Sequence, residues 1–256
     1  MLHDRGYVKS ETHNGITTIE FHHPQSNSLP STILEELTQE IHFIAHDDDT
    51  RAVVLRSSGE KAFCAGASFD ELLAIKNKEQ GLQFFSGFAN VINAMRKCPK
   101  PIIGRIHGKS VGGGVGLIAA TDYAIALEGA DVKLSELSIG IGPFVVGPVV
   151  ERKIGLAAYS YLALDAGMWR NADWAKRKGL YAELHPTIEG MDESISRVSH
   201  NLSHSNPEAI AEFKKILWKG TENWDTLLLD RAAISGRLVL SEFTKAAIQK
   251  FRAKAN

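Results

Sequence analysis

The residues best suited to chemistry are grouped in two short stretches. One is Ile106-His107-Gly108-Lys109-Ser110-Val111-Gly112-Gly113-Gly114-Val115-Gly116, which lies between an apolar strand pattern and the start of a helical one. The other is Phe63-Cys64-Ala65-Gly66-Ala67-Ser68, a small-residue turn after a strand and before a helix. Residues without a Cβ let a carbonyl oxygen approach the backbone N–H groups at a helix N-terminus. The glycine run therefore reads as half of an oxyanion hole. The turn at residues 63–68 offers the second half, so two helix N-termini would converge on one oxygen.

The glycine run has three other nominal uses. A P-loop needs a glycine five residues before Gly108-Lys109-Ser110, where Ile103 stands, so that motif is a fragment. A dinucleotide fingerprint beginning at Gly112 and Gly114 needs a small residue where Leu117 stands. Gly108-Lys109-Ser110-Val111-Gly112 matches the G-x-S-x-G nucleophile elbow. A serine hydrolase using Ser110 would also need a later acid and histidine, nominally Asp165 or Asp173 with His185 or His200. The simplest structural use is a close-packed turn with no chemistry.

A resemblance favours the oxyanion hole. Lys61-Ala62-Phe63-Cys64-Ala65-Gly66-Ala67-Ser68-Phe69-Asp70-Glu71-Leu72 resembles the first signature of the crotonase superfamily, the enoyl-CoA hydratase/isomerase family. Lys100-Pro101-Ile102-Ile103, then Gly108, Gly112-Gly113-Gly114 and Thr121-Asp122, resemble its second, in the same order and at matching separation. His23-Pro24 to Asn27-Ser28-Leu29 is similar to the family's early coenzyme A (CoA) contact loop, and residues 245–251 to its adenine-side C-terminal helix.

The resemblance implies an enzyme acting on an acyl-CoA thioester through an enolate, with the N–H groups of Ala67 and Gly113 as oxyanion donors. It places a proton-transferring carboxylate at Glu136, whose neighbours Leu134, Leu137 and Ile139 could desolvate it and raise its pKa. Hydratases of the family usually carry a second glutamate where this chain has Gly116. Water addition uses both carboxylates, whereas one base can take a proton from one carbon and return it to another. The expectation therefore leans to double-bond isomerisation of an enoyl-CoA. The alternatives are hydration of a fatty or branched enoyl-CoA, hydrolysis by Ser110, and acyl-CoA binding without catalysis. CoA contacts are implied at Gln25, Ser26 and Ala65, with Lys61 and Lys254 near the phosphates and Phe251 near the adenine. CoA belongs to the substrate, so no separate cofactor is expected.

The elements that must position these residues follow from periodicity. Strand-like runs at 16–21 and 52–56 alternate with helical patterns at 31–45, 68–75 and 81–97. Strands at 101–106, 123–127 and 132–134 follow, with a short helix at 113–120. That order predicts an α/β fold with parallel strands, which the resemblance specifies as a crotonase-like spiral of ββα units. Helical spacing recurs at 145–154, 188–202, 207–218 and 224–240. The expected organisation is one domain, with residues 1–195 as the spiral core and 196–256 as a C-terminal helical region. The amphipathic segment 224–240 is longer than a small core needs, and the family packs such helices between subunits, so a homotrimer or homohexamer is expected.

Composition excludes several classes. Twenty-nine Lys and Arg against 30 Asp and Glu leave a net charge of −1, which implies no general attraction to nucleic acid or an anionic membrane. Two cysteines, Cys64 and Cys98, are too few for a disulfide scaffold, and the ten histidines show no metal-ligand spacing, so no metal is expected. No run is an uninterrupted membrane span and the first ten residues lack the apolar core of a signal peptide, which predicts a cytoplasmic protein.

Overall fold

Ile- and Val-rich runs become the middle of a six-stranded sheet because both of their faces are covered. In this computed structural model, which describes residues 5–255 and side chains as far as residue 250, β1 (Tyr7–His13) and β2 (Ile16–His22) form a hairpin and β3 (Ser28–Leu29) leads into α1 (Ser31–His46). β4 (Ala52–Ser57), β5 (Ala62–Cys64) and β6 (Gly66–Ala67) precede α2 (Phe69–Ala74) and α3 (Lys78–Lys97). β7 (Ile102–Ile106) and β8 (Lys109–Val111) precede α4 (Gly113–Ala120). β9 (Tyr123–Leu127) and β10 (Val132–Lys133) precede a 3-10 turn (Glu136–Ile139) and α5 (Gly147–Leu164). The chain continues through α6 (Ala172–Arg177), β11 (Glu183–His185), α7 (Ile188–Ser203), α8 (Pro207–Leu217), α9 (Trp224–Leu238) and α10 (Glu242–Ala255).

The large sheet has the order β1-β2-β4-β7-β9-β11 and is parallel except for its first pair. Smaller sheets, β10-β8-β5 and β3-β6, run beside it. Each repeat thus gives one strand to the large sheet and a second to a small one before its helix, which makes the chain a spiral of ββα units. Alternation along the strands sends Ile19, Phe21, Val53, Leu55 and Ile106 into the main core with α1, α3 and α4. It sends Val54, Ile103 and Ile125 to the other face, under Met191 and Ile195 of α7. Double coverage is why β4 reads as a continuous apolar run, and each such side chain contributes about 1.5–3 kcal/mol on burial.

Several elements depart from the periodicity. β1 is an antiparallel edge strand that the apolar pattern missed, because only Tyr7 and Val8 of it are even partly buried. Its hairpin turn, Asn14-Gly15 with φ of 51° and 77°, carried the available signal. The helix expected to stop at residue 154 runs on to Leu164, across a break at Gly155 with φ of 80°. β11 and α6 were not expected at all. The apolar face of α9, with Trp224, Leu228 and Ala232 buried, packs within the chain. α9 crosses α3 at bare backbone, for a Cβ on Gly81 would lie 2.6 Å from the Gly236 oxygen. The length of segment 224–240 therefore has an intramolecular explanation. Among the described residues, no helix is long and apolar enough to cross a membrane.

Candidate active site

The two small-residue turns meet backbone to backbone. Gly66 has φ of +94°, and a Cβ on it would lie 3.1 Å from the Val111 oxygen and 3.8 Å from the Gly113 nitrogen. β3 and β6 pair in parallel with Leu29 opposite Ala67, and Ser68 N–H donates to the Leu29 oxygen at 2.9 Å. Successive N–H groups of an extended strand alternate in direction, so the Ala67 N–H faces away from β3. Gly112 holds φ of +53° and donates its N–H to the Lys133 oxygen. Gly113 then opens α4, where the first N–H groups have no partner within the helix. A Cβ on Gly113 would overlap the Phe88 ring at 2.2 Å, and one on Gly114 would sit 2.5 Å from the Cys64 oxygen. Only glycine fits at either place. Two convergent N–H groups of this kind can stabilise a developing oxyanion.

Glu136 stands across from these donors, at the start of the 3-10 turn. A Cβ on Gly112 would lie 3.0 Å from its Oε1, and the positive φ already favours glycine there. The residue as a whole is only partly buried, but its Oε2 is shut off from solvent and has no hydrogen-bond partner. Burial pushes the carboxyl up to about 7 from an ordinary 4.5, against the opposing pull of the Ser135 and Glu136 backbone N–H groups. An acid poised there can both take and return a proton near neutral pH. α10 rests on this turn, since a Cβ on Gly140 would collide with Thr244 and Phe243.

Both groups open on a cavity of about 840 Å³. Phe69, Phe84, Phe85 and Phe88 form one wall, and Phe144, Val145 and Val146 another. Glu136 is the only carboxylate among the described residues lining it, and Lys133 and Lys250 are the only cations. Gly116 is buried in α4 with its Cα against Val146.

The expected binding residues divide. Gln25 and Ala65 line the cavity, and Ala65 N–H is tied to the oxygens of Ser26 and Asn27, which holds the early loop to the first donor turn. Ser26 is exposed, at φ of 55°, beside the cavity lining. Lys61 is exposed and does not line the cavity. The side chains of Phe251 and Lys254 lie outside the described residues. Lys250, one helical turn before Lys254, was missed, although its place in the same amphipathic helix was the available signal. Phe88 was missed too, because nothing local marks a side chain that packs on a distant glycine.

The hydrolase reading loses its geometry. The Ser110 hydroxyl is fully buried, has no hydrogen-bond partner and is absent from the cavity wall. His185 pairs with Glu183 and His200 stacks on His204, while Asp165 and Asp173 pair with Arg170 and Arg177.

The family model for enoyl-CoA hydratase/isomerase matches residues 11–251. The chain belongs to this family. It is an enzyme of the crotonase type. It is 27% identical over 244 residues to the short-chain-enoyl-CoA hydratase of Clostridium acetobutylicum, with 94% of this chain and 92% of that protein covered. It is 24% identical over 231 residues to the peroxisomal Delta(3,5)-Delta(2,4)-dienoyl-CoA isomerase of Arabidopsis thaliana, covering 84% and 81%. The crystal structure of an enoyl-CoA hydratase from Bacillus halodurans superposes with a TM-score of 0.88 at 22% identity, covering 95% of this chain and 99% of that one. That likeness bears out the spiral α/β fold of this enoyl-CoA hydratase/isomerase family member.

Proposed function

We propose that the protein shifts the double bond of an enoyl-CoA thioester, with Glu136 as its single proton carrier and the Ala67 and Gly113 N–H groups as its oxyanion hole. The observation that carries this is the cavity itself, where one buried carboxyl with a pKa of about 7 stands without a second acid on the described lining. Ionised Glu136 removes a proton beside the thioester, the electron pair moves toward the carbonyl oxygen, and the two donors hold the charge that develops there. Each donor is worth about 3 kcal/mol when preorganised. Glu136 then returns the proton to another carbon. The aromatic and aliphatic walls suit an apolar acyl group. CoA enters as part of the substrate, past Gln25, Ser26 and Ala65, with Lys250 and Lys133 the described cations nearest to receive its phosphates.

Hydration is the second reading, favoured by the hydratase names of several relatives, among them the Clostridium protein. Incubation with 2-enoyl-CoA and 3-enoyl-CoA panels, followed by absorbance and mass, separates the two. Expected is conversion of 3-enoyl to 2-enoyl thioesters with little gain of water. Robust hydration without a double-bond shift would overturn isomerisation and leave the oxyanion hole in place, because both reactions pass through the same enolate.

The expected trimer or hexamer also belongs to this proposal. With α9 packed inside the chain, its support moves to the exposed Leu156 and Leu164 of α5 and the exposed Phe213 and Ile216 of α8. Light scattering at micromolar protein should give a trimer or its double, and a stable monomer would refute it.

A further inference from the structure

Gly116 sits in the interior of α4, where glycine lowers helix stability relative to alanine. Its presence needs a steric reason, and Val146 supplies one. A Cβ on Gly116 would lie 2.5 Å from Val146 Cγ1, 2.9 Å from Val146 Cβ and 3.7 Å from Ile92 Cδ1. Val146 is 4% exposed, touches the cavity and stands at the N-cap position of α5 without making a side-chain cap bond. Its side chain therefore has no capping duty, and what it does is fill space. The three atoms nearest to that point are all carbon, from Val146 and Ile92. A buried water needs two to four polar partners, and the atoms that fill this point supply none.

We infer that Val146 is a specificity-determining residue, which occupies the volume where a side chain at position 116 would begin and keeps nucleophilic water from the reacting carbons. This rests on the reading of Glu136 as the proton carrier. Water addition forms a C–O bond at one alkene carbon and a C–H bond at the other, and it requires a water held and deprotonated by a second acceptor. Isomerisation consumes nothing. A C–H bond breaks to Glu136, its electron pair passes through the enolate, and the same proton forms a C–H bond elsewhere. A filled volume at that point, opposite a single acid, permits the second reaction and starves the first. It also means that changing position 116 alone cannot install a second acid, since the place is already taken.

The test is a two-residue cycle of Gly116→Glu, Val146→Gly and the double variant, each assayed for melting temperature, hydration of 2-enoyl-CoA and isomerisation of 3-enoyl-CoA. Glycine is tolerated at an N-cap, so Val146→Gly should fold. Gly116→Glu alone should melt about 5 °C below wild type, from overpacking, without gaining hydration. The double variant should recover at least half of that loss and hydrate roughly tenfold faster than wild type. Gly116→Glu hydrating as well as the double variant, or melting with wild type, would overturn the inference. So would a double variant that regains stability with no gain in hydration. Should a glutamate variant fail to fold, Val146→Gly decides alone. In D₂O it should carry about threefold more solvent deuterium into the isomerised acyl group than wild type, and an unchanged ratio would overturn the inference. A wild type that hydrates and shifts no double bond sinks the parent proposal before any variant is made. One that isomerises while the double variant gains no hydration sinks only the role of Val146.

Discussion

The wall built by the starts of β6 and α4 and the wall built by residues 136–146 face the same cavity, yet they are shaped by different forces. On the first, Gly66, Gly113 and Gly114 are pressed against main chain or an aromatic ring, and what reaches the cavity is backbone N–H. On the second, side chains decide, with Glu136 made a weak acid by burial and Val146 filling a volume. At Gly113 and Gly114 the donor wall tolerates no side chain, so little there can be varied. The carboxylate wall can be altered one residue at a time, so the choice of reaction belongs there.

Glu136→Gln gives the sharpest contrast between the walls. It should cost on the order of 10² to 10⁴ in turnover while leaving CoA-thioester binding nearly unchanged. The same acid governs pH behaviour. Because Glu136 must be ionised to act as a base, kcat/KM should rise with pH through about 7. Stability should move the other way. A carboxyl whose folded pKa is raised from 4.5 to about 7 resists ionisation in the folded state, so its favourable contribution is complete below about 4.5 and is lost as pH rises through about 7. At pH 8, Glu136→Gln should therefore be more stable than wild type, by up to about 3 kcal/mol in urea denaturation. A variant equally active, or no more stable at pH 8, would contradict the buried-acid assignment.

Gly113→Ala attacks the other wall. Its methyl group must displace the Phe88 ring, shifting the donor from its place, and kcat/KM should fall by about 10² or more even in protein whose circular dichroism is native. Full activity in such protein would remove Gly113 from the oxyanion hole. Lys250→Ala should act more gently, raising KM roughly threefold with kcat unchanged, if this exposed cation meets a CoA phosphate. The smallest effect is expected from Ser110→Ala, which leaves thioester turnover within about twofold of wild type. Labelling of Ser110 by a fluorophosphonate, with loss of turnover on its removal, would instead restore the nucleophile reading.

How much of this could be read from the sequence follows the same division. The strands β2 and β4 were legible from their β-branched runs, β7 and β9 as short apolar runs between helical patterns, and α3 because its apolar residues recur with helical spacing. β3, β6 and β8 are two or three residues long and have no period to detect. The converging turns were legible because glycine at a strand-to-helix junction has few other uses. The fit of Val146 against Gly116 was not, since thirty positions separate them and the contact exists only once α5 has docked on α4.

The crossing of α3 over α9 at Gly81 and Gly236 bears on how the cavity can change its width. α3 brings Phe84, Phe85 and Phe88 to the cavity and α9 brings Ser235, the immediate neighbour of the crossing point. Where helices meet through side chains, a rotamer change can alter their spacing. At Gly81 and Gly236 they meet at bare main chain, which has no rotamer to change, while the other end of the pair is joined through Arg96 and Lys97 to Asp225. The glycine contact acts as the fixed jaw of a calliper, so widening the cavity beside it falls to the phenylalanine rings rather than to the helices.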